Sequence, residues 1–216
     1  MHFFFKTLPR NIAYVFHPRY LPYHVLAIGA TALLVYLGLD WRYFVETKTL
    51  YPYFFTAIVL GGLLPIFLPP VLIVTGHIRK NMSFIHAGWV LWQAALVGWL
   101  VSSTYKAFTG RIQPDLANYV MDISHGFQFG LWRHGIFWGW PSSHTAVAFS
   151  MSVALVTLYP KKRVLCVLAL LYAFLIGLGV SMSIHWLSDA VSGVIIGSVC
   201  GLAVGKGYQR ISGQNP

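Results

Sequence analysis

The sequence predicts an all-α membrane protein: a polytopic bundle of about six transmembrane helices. Hydrophobic residues make up 57% of the 216 residues, charged residues only 9%, and the mean hydropathy is +0.66. An average soluble domain carries roughly 25% charged residues. The apolar residues are gathered into six long runs, and a spanning helix needs about 20 such residues. This length leaves room for six spans and short connections, so we expect a single membrane domain over residues 1–216.

The runs can be followed in chain order after an amino-terminal segment of different character. Residues 1–20 mix aromatic residues with lysine, arginine and proline, which is typical of an interfacial segment lying on the bilayer. The six runs cover 21–39, 51–75, 84–104, 145–159, 164–183 and 190–204. The second contains Pro65, Pro69 and Pro70, which should kink or shorten its helix because each removes a backbone donor. Both cysteines lie inside apolar runs and are expected to be packing residues.

If each apolar run crosses the membrane, successive loops lie on alternate sides of it, and the lysine and arginine residues are distributed unequally between these two sides. Of the 15 lysine and arginine residues, those on the richer side are Lys6, Arg10, Arg19, Arg79, Lys80, Lys161, Lys162, Arg163, Lys206 and Arg210. The other side carries the remaining basic residues and all five acidic residues. Because basic loops stay in the cytoplasm, both termini are predicted to be cytoplasmic. The net charge of +10 is therefore attributed to basic loops that set the orientation in the membrane, and no nucleic-acid partner is expected.

Three short polar segments, 106–114, 141–144 and 185–189, lie at run ends that the topology places on the outer side. In the third segment, His185 and Asp189 are four residues apart, which on a helix places them on one face. The carboxylate can then hold one ring nitrogen and leave the other free. An ionisable pair at this depth is a functional candidate, and a pair that merely anchors the last helix is the alternative.

The other two segments have the residue types that bind an anion. Ser142, Ser143 and His144 open the fourth run, where the first amide groups of a helix lack partners and favour an anion. An ordinary capped helix with an interfacial histidine is the alternative. Lys106 and Arg111 flank a turn after the third run, where two cations can embrace a phosphate. Snorkelling at a helix end is the simpler explanation of either cation alone.

Together the three segments resemble the type 2 phosphatidic acid phosphatase superfamily of membrane lipid phosphatases, over residues 84–205. The family pattern is Lys, six residues, Arg-Pro; then Pro-Ser-Gly-His; then Ser-Arg, five residues, His, three residues, Asp. The resemblance implies that His185 attacks phosphorus and forms a phosphohistidine, that Asp189 orients His185, and that His144 protonates the departing oxygen. Phosphoryl transfer needs mainly positioning and positive charge. The sequence has no carboxylate cluster or Cys/His spacing for a metal, so no metal or cofactor is expected.

The sequence departs from this pattern at the phosphate-binding cations. Gln113 replaces the arginine of the first motif, and Ser143 replaces the glycine of the second. The Ser-Arg pair of the third motif falls on residues 178–179, or on 181–182 with a short deletion, and its arginine is missing. The predicted phosphate-binding residues are therefore Lys106, Arg111, Gln113, Ser142 and Ser143. Arg133 is a candidate replacement for a missing arginine, or equally a contact to a lipid headgroup.

The resemblance implies an enzyme that hydrolyses a phosphomonoester or diphosphate of a lipid at the outer or periplasmic leaflet. The candidate substrates are isoprenoid diphosphate, phosphatidic acid, phosphatidylglycerol phosphate and phosphorylated lipid A, and a bacterial inner membrane is the expected location. Aromatic residues between 127 and 140 suit a lid over the site, or simply the aromatic belt of the bilayer. Two alternatives stay open: a phosphotransferase that uses the same histidine, and a non-catalytic lipid-binding or transport protein.

Overall fold

The computed structural model describes residues 2–117, 120–133 and 135–212, and its regular structure over these residues is helical. The helices are α1 (His2–Val15), α2 (Leu21–Tyr36), α3 (Leu39–Thr47), α4 (Tyr51–Ile78), α5 (Met82–Thr109), α6 (Ser143–Leu158), α7 (Arg163–Ser181) and α8 (Leu187–Ser212). A short 3₁₀ turn, Lys48–Leu50, joins α3 to α4. The predicted all-α fold is confirmed.

The apolar helices identify an integral membrane protein. Within the described residues, four segments are long and apolar enough to cross a membrane: Leu39–Ile78, Met82–Thr109, Arg163–Ser181 and Leu187–Ile211. Two further apolar helices, Leu21–Tyr36 and Ser143–Leu158, are shorter. Leucine, valine and isoleucine side chains on the outer faces of α2, α4 and α7 are exposed, as lipid contact requires. The number of spans and the side of the termini stay predictions.

Helices α6 and α8 pack closely in the centre of the bundle. A Cβ added at Gly197 of α8 would lie 2.3 Å from the carbonyl oxygen of Ala146, so only glycine permits this approach. On the other face of α6, Ser150 Oγ donates to the carbonyl oxygen of Ala94 in α5, at 2.7 Å. These contacts bring the amino-terminal ends of α6 and α8 together, and both ends carry predicted site residues.

Helix α4 differs from the sequence expectation because its prolines do not shorten it. It runs unbroken over 28 residues, and Pro65 and Pro69 are buried against neighbouring helices. A Cβ at Gly88 of α5 would lie 2.7 Å from the carbonyl oxygen of Pro69. A close neighbouring helix is the setting in which membrane helices tolerate proline.

Helix α1 occupies the predicted interfacial segment, and a polar stripe attaches it to the bundle. Gln93 of α5 is fully buried; it accepts from Asn11 Nδ2 at 2.8 Å and donates to the Phe4 carbonyl oxygen at 2.6 Å. The Asn11 amide also lies against Gly207 near the end of α8. Helix α1 and the last turns of α8 therefore meet at one end of the bundle.

Candidate active site

The predicted catalytic residues lie at the opposite end of the bundle, where the end of α5 and the starts of α6 and α8 meet. The rings of His144 and His185 have centroids 6.4 Å apart and planes inclined by 62°. Lys106, Ser143 and His144 line a cavity of about 480 Å³. The structure thus brings the three polar segments to one place.

His185 is held by one ring nitrogen, although not in the way that the spacing predicted. Helix α8 begins at Leu187, so His185 precedes the helix and does not share a face of it with Asp189. Asp189 Oδ2 instead lies 3.3 Å from His185 Nδ1 and also accepts the backbone N–H of Trp186, at 3.2 Å. One carboxylate therefore fixes both the turn before α8 and the imidazole.

The neighbours of His185 determine which ring nitrogen is free. Gln113 Nε2 also lies 3.3 Å from Nδ1, and a rotated amide would present its oxygen there as a second acceptor. With Nδ1–H donating to Asp189, the lone pair is on Nε2. Burial lowers the pKa of His185, an effect that the hydrogen bond donated to Asp189 opposes and the charge of Lys106 reinforces. The ring is therefore neutral at pH 7.

The two serines before His144 have different roles. Ser142 is fully buried; its Oγ accepts from the Thr145 N–H at 3.4 Å and the Thr145 hydroxyl at 3.1 Å, so it caps α6. The cap uses Ser142 Oγ as an acceptor, and the expectation that Ser142 also binds phosphate stays a prediction. Ser143 lines the cavity, where its Oγ accepts from Ser102 Oγ at 2.9 Å. Among the described residues no acceptor is bonded to the backbone N–H of Ser143 or His144.

Lys106, like Ser143, is a predicted phosphate ligand that lies on the cavity wall. Its side chain is buried, and Nζ donates to the carbonyl oxygen of Phe137 at 3.2 Å. An ammonium group has three donors, so two have no acceptor among the residues that the structure describes and are open to an anion beside His144.

Arg111 is not available to phosphate, which corrects the sequence prediction. It is fully buried, and its five N–H donors all have acceptors. Nε and Nη2 donate to the carbonyl oxygen of Ser124 at 3.2 and 2.7 Å, and Nη2 to Asp40 Oδ2 at 2.7 Å. Nη1 donates to Ser188 Oγ at 2.7 Å and to Asp189 Oδ1.

Asp40 is the functional candidate that the sequence interpretation missed. It lies in the first turn of α3, is fully buried, and accepts from the Ser188 N–H at 2.8 Å and the Ser188 hydroxyl at 2.6 Å. The available signal was a carboxylate at the end of the first apolar run, on the same predicted side as Asp189.

Arg133 lies outside the set of residues that line the cavity. Its side chain is exposed, and its nearby groups are Gly110 and Gly130 in the loop before α6. Its predicted role as a replacement phosphate ligand corresponds to no contact in the described structure, because the side chain extends along the loop surface.

The aromatic residues before α6 divide into two groups. Trp140 is buried and donates from Nε1 to Thr31 Oγ1 at 2.6 Å, which ties this loop to α2. Phe127 covers the Arg111 guanidinium at 4.7 Å. Phe129, Trp132, Phe137 and Trp138 are exposed. Of these four, Phe137 also lines the cavity.

Comparisons with known proteins agree with the fold. The family model described as the PAP2 superfamily matches residues 86–212. A similar solved structure is the crystal structure of a transmembrane PAP2-type phosphatidylglycerolphosphate phosphatase from Bacillus subtilis, with a TM-score of 0.58 and 18% identity. The match covers 88% of this chain and 96% of that chain. No curated protein sequence matches the chain. The family match confirms the resemblance drawn from the three motifs, and the similar structure shows the fold.

Proposed function

The chain belongs to the PAP2 superfamily, and on that premise we propose that it is a lipid phosphatase acting through a phosphohistidine on His185. The observation that carries the proposal is the closeness of two imidazoles, that of His144, which lines the cavity together with Lys106, and that of the buried His185, whose ring centroid lies 6.4 Å from that of His144. Two histidines at this separation can act on opposite sides of a phosphorus atom. The family resemblance implies the same roles, and the geometry of these residues supports them.

The first step transfers the phosphoryl group to the enzyme. The lone pair of His185 Nε2 forms the bond to phosphorus while the bond from phosphorus to the lipid oxygen breaks. His144 gives its proton to that departing oxygen. In the second step a water oxygen attacks phosphorus, His144 takes the water proton, and the phosphorus–nitrogen bond breaks. Inorganic phosphate leaves, His185 is neutral again and His144 is protonated again, ready for the next substrate. Dividing the hydrolysis in this way makes each displacement easier.

The phosphoryl oxygens meet positive charge and donors from two helices. Lys106 offers a compact charge from the end of α5, and the N–H groups of Ser143 and His144, in the first turn of α6, have no acceptor among the described residues. Donors fixed before the reaction stabilise charge that develops in the transition state. Gln113 adds a neutral amide beside His185.

The shape of the cavity supports a lipid as substrate. Below the polar end, its walls are apolar and come from α4 and α5, where Ile66, Trp92 and Trp99 are partly exposed on the bilayer-facing surface. A lipid can keep its chain in this groove while its phosphate reaches Lys106. We propose a substrate from the four lipid classes that the family resemblance implies, at the outer leaflet of a bacterial inner membrane. Phosphatidylglycerolphosphate, after which the similar Bacillus subtilis phosphatase is named, is one of them.

Replacing His185 tests the proposal directly. Purified wild type and His185→Ala would be incubated with a panel of phosphorylated lipids, and released phosphate would be measured. We expect His185→Ala to lose about 10³-fold or more in kcat, the scale seen when a nucleophile is removed. His125→Ala is the matched control, because His125 lies exposed in the loop before α6 and should leave turnover unchanged. Equal turnover in wild type and His185→Ala would contradict the phosphohistidine. With a substrate labelled in its phosphoryl group, transfer of the label to a second lipid would indicate a phosphotransferase.

A further inference from the structure

Three buried charged side chains form a continuous chain behind His185. Arg111 lies between Asp40 and Asp189 and donates to one oxygen of each carboxylate. All three are fully buried, and together they are called the charge cluster. Ser188 closes the arrangement, because its hydroxyl accepts from Arg111 and donates to Asp40. Asp40 comes from α3, which lies outside the part of the chain that the family model matches.

The two oxygens of Asp189 have different partners: one contacts Arg111 of the charge cluster and the other lies beside the imidazole. Oδ1 accepts from Arg111, while Oδ2 lies beside His185 Nδ1 and the Trp186 N–H. A carboxylate held at one oxygen cannot rotate freely, so the other oxygen is fixed toward the ring. The guanidinium is fixed in turn by Asp40. The orientation of His185 therefore depends on a residue that does not contact it.

The charge cluster also has a definite charge. Two carboxylates and one guanidinium give a formal charge of −1, and this charge faces an imidazole that becomes positive when it bonds to phosphorus. The other groups that face His185 are the neutral Gln113, His144 on α6 and Lys106 on α5, whose charge opposes that of the cluster. Burial of the cluster makes its charge effective at the ring, because charges act strongly in a low-dielectric interior.

We propose that Asp40 is a positioning residue for the reaction: through Arg111 it orients Asp189 and leaves one net negative charge to stabilise the cationic ring of His185. The expected effect of Asp40 on the rate rests on the proposed function, whereas its expected effect on the imidazole of His185 is independent of turnover. In this proposal Arg111 acts on the nucleophile His185, through Asp189, and does not bind the phosphate.

Four forms of the protein test this by their cluster charge: −1 in wild type, 0 in Asp40→Asn, −2 in Arg111→Gln, and −1 again in the double variant. We expect the pKa of His185 to fall in Asp40→Asn and to rise in Arg111→Gln, each by about half a unit or more. The double variant should return to the wild-type value. A merely structural cluster would not produce shifts of opposite sign that cancel.

Two measurements follow the shift. Proteins carrying ¹³C-labelled histidine would be titrated in detergent micelles, with the resonance of His185 assigned by His185→Gln. The acidic limb of kcat/KM would be measured for the same set, and it should move in the same order. Asp40→Asn should lower kcat about tenfold, as a lost stabilisation of the developing cation requires. KM should stay within twofold, because neither Asp40 nor Arg111 contacts the phosphate.

Glu46→Gln is the matched control, since it removes a carboxylate from the same helix α3 at an exposed pair with Arg42. It should leave the pKa of His185 and the rate unchanged. Should Asp40→Asn fail to fold, the comparison of Arg111→Gln with the double variant still decides, because their cluster charges differ by one. Identical titrations of His185 in all folded forms would overturn the proposal, as would a large rise of KM alone in Arg111→Gln. If wild type releases no phosphate from any lipid, the proposed function fails, and the histidine titration still tests the cluster.

Discussion

His185 is the residue whose surroundings decide the chemistry. Its ring is buried, its Nδ1 is engaged by Asp189, and its ring centroid lies 6.4 Å from that of His144, which lines the cavity. Burial lowers the pKa of His185, although Asp189 opposes the shift. The ring therefore stays neutral to a lower pH in the folded protein than in the unfolded chain, where the ordinary value is about 6.5.

This difference predicts how stability depends on pH. The unfolded chain takes up a proton at His185 near pH 6.5, before the folded protein does, so acid favours unfolding. The stability that the neutral ring contributes is fully present above about pH 6.5 and is lost as the pH falls toward the lower folded pKa. We expect the melting temperature to fall less between pH 7.5 and 5.5 in His185→Gln than in wild type, measured by thermal unfolding in detergent. Equal falls in both proteins would contradict a lowered pKa.

For individual residues, the sequence identified those that belong to motifs of recognisable spacing, but it did not identify the residues with which they form hydrogen bonds. His144, His185, Asp189 and Lys106 follow from motif positions, and the structure brings them together. The surroundings of Arg111 could not be predicted, because Asp40 is 71 residues away along the chain and no local pattern links them. A cation beside a phosphatase motif therefore looks like a phosphate ligand until its acceptors are known.

At the scale of elements, hydropathy predicted the long helices better than the short ones. Each apolar run became a helix within a few residues, except that α8 extends to Ser212. Helix α3 was missed because its nine residues mix charged and aromatic side chains, and its position is set by the burial of Asp40 and Phe44. The prolines of α4 do not shorten the helix for a related reason: packing against α5 decides whether such a helix continues, and this packing cannot be deduced from the sequence of α4 alone.

The groove between α4 and α5 gives a prediction about substrate length. Gly62 lines the cavity, and a Cβ there would meet no atom within 4 Å. Gly62→Phe should therefore fold and partly fill the groove, which displaces a lipid chain but not a small phosphate ester. We expect kcat/KM for a long-chain phospholipid to fall about tenfold, equivalent to about 1.4 kcal/mol of lost binding. Turnover of a short-chain soluble phosphate should change little.

Gly29→Phe is the control for this substitution. Gly29 lies on α2, is exposed and also has open space at its Cβ position, but it does not line the cavity. It should leave the turnover of both substrates unchanged. An unchanged long-chain turnover in Gly62→Phe would show that the lipid chain lies elsewhere.

For the whole molecule, the contact between α1 and the end of α8 lies at the opposite end of the bundle from the candidate active site. Arg210 near the end of α8 donates to Tyr14 Oη of α1 at 2.9 Å, while Asp189 lies in the first turn of α8. A helix of 26 residues is roughly 39 Å long, which exceeds the roughly 30 Å hydrocarbon core of a bilayer. The side of the membrane that holds the termini therefore determines the leaflet that the cavity serves.

The charge distribution predicts that the termini are cytoplasmic, and cysteine labelling can check this. In a background of Cys166→Ser and Cys200→Ala, one cysteine would replace exposed Met121 in the loop before α6, and another would replace exposed Arg79 between α4 and α5. An impermeant maleimide should label position 121 in intact cells and position 79 only after permeabilisation. The reverse result would place the cavity at the inner leaflet, because position 121 lies at the end of the bundle that holds the cavity and position 79 lies at the other end. It would contradict the outer-leaflet substrate while leaving the chemistry of His185 to be judged by its own test.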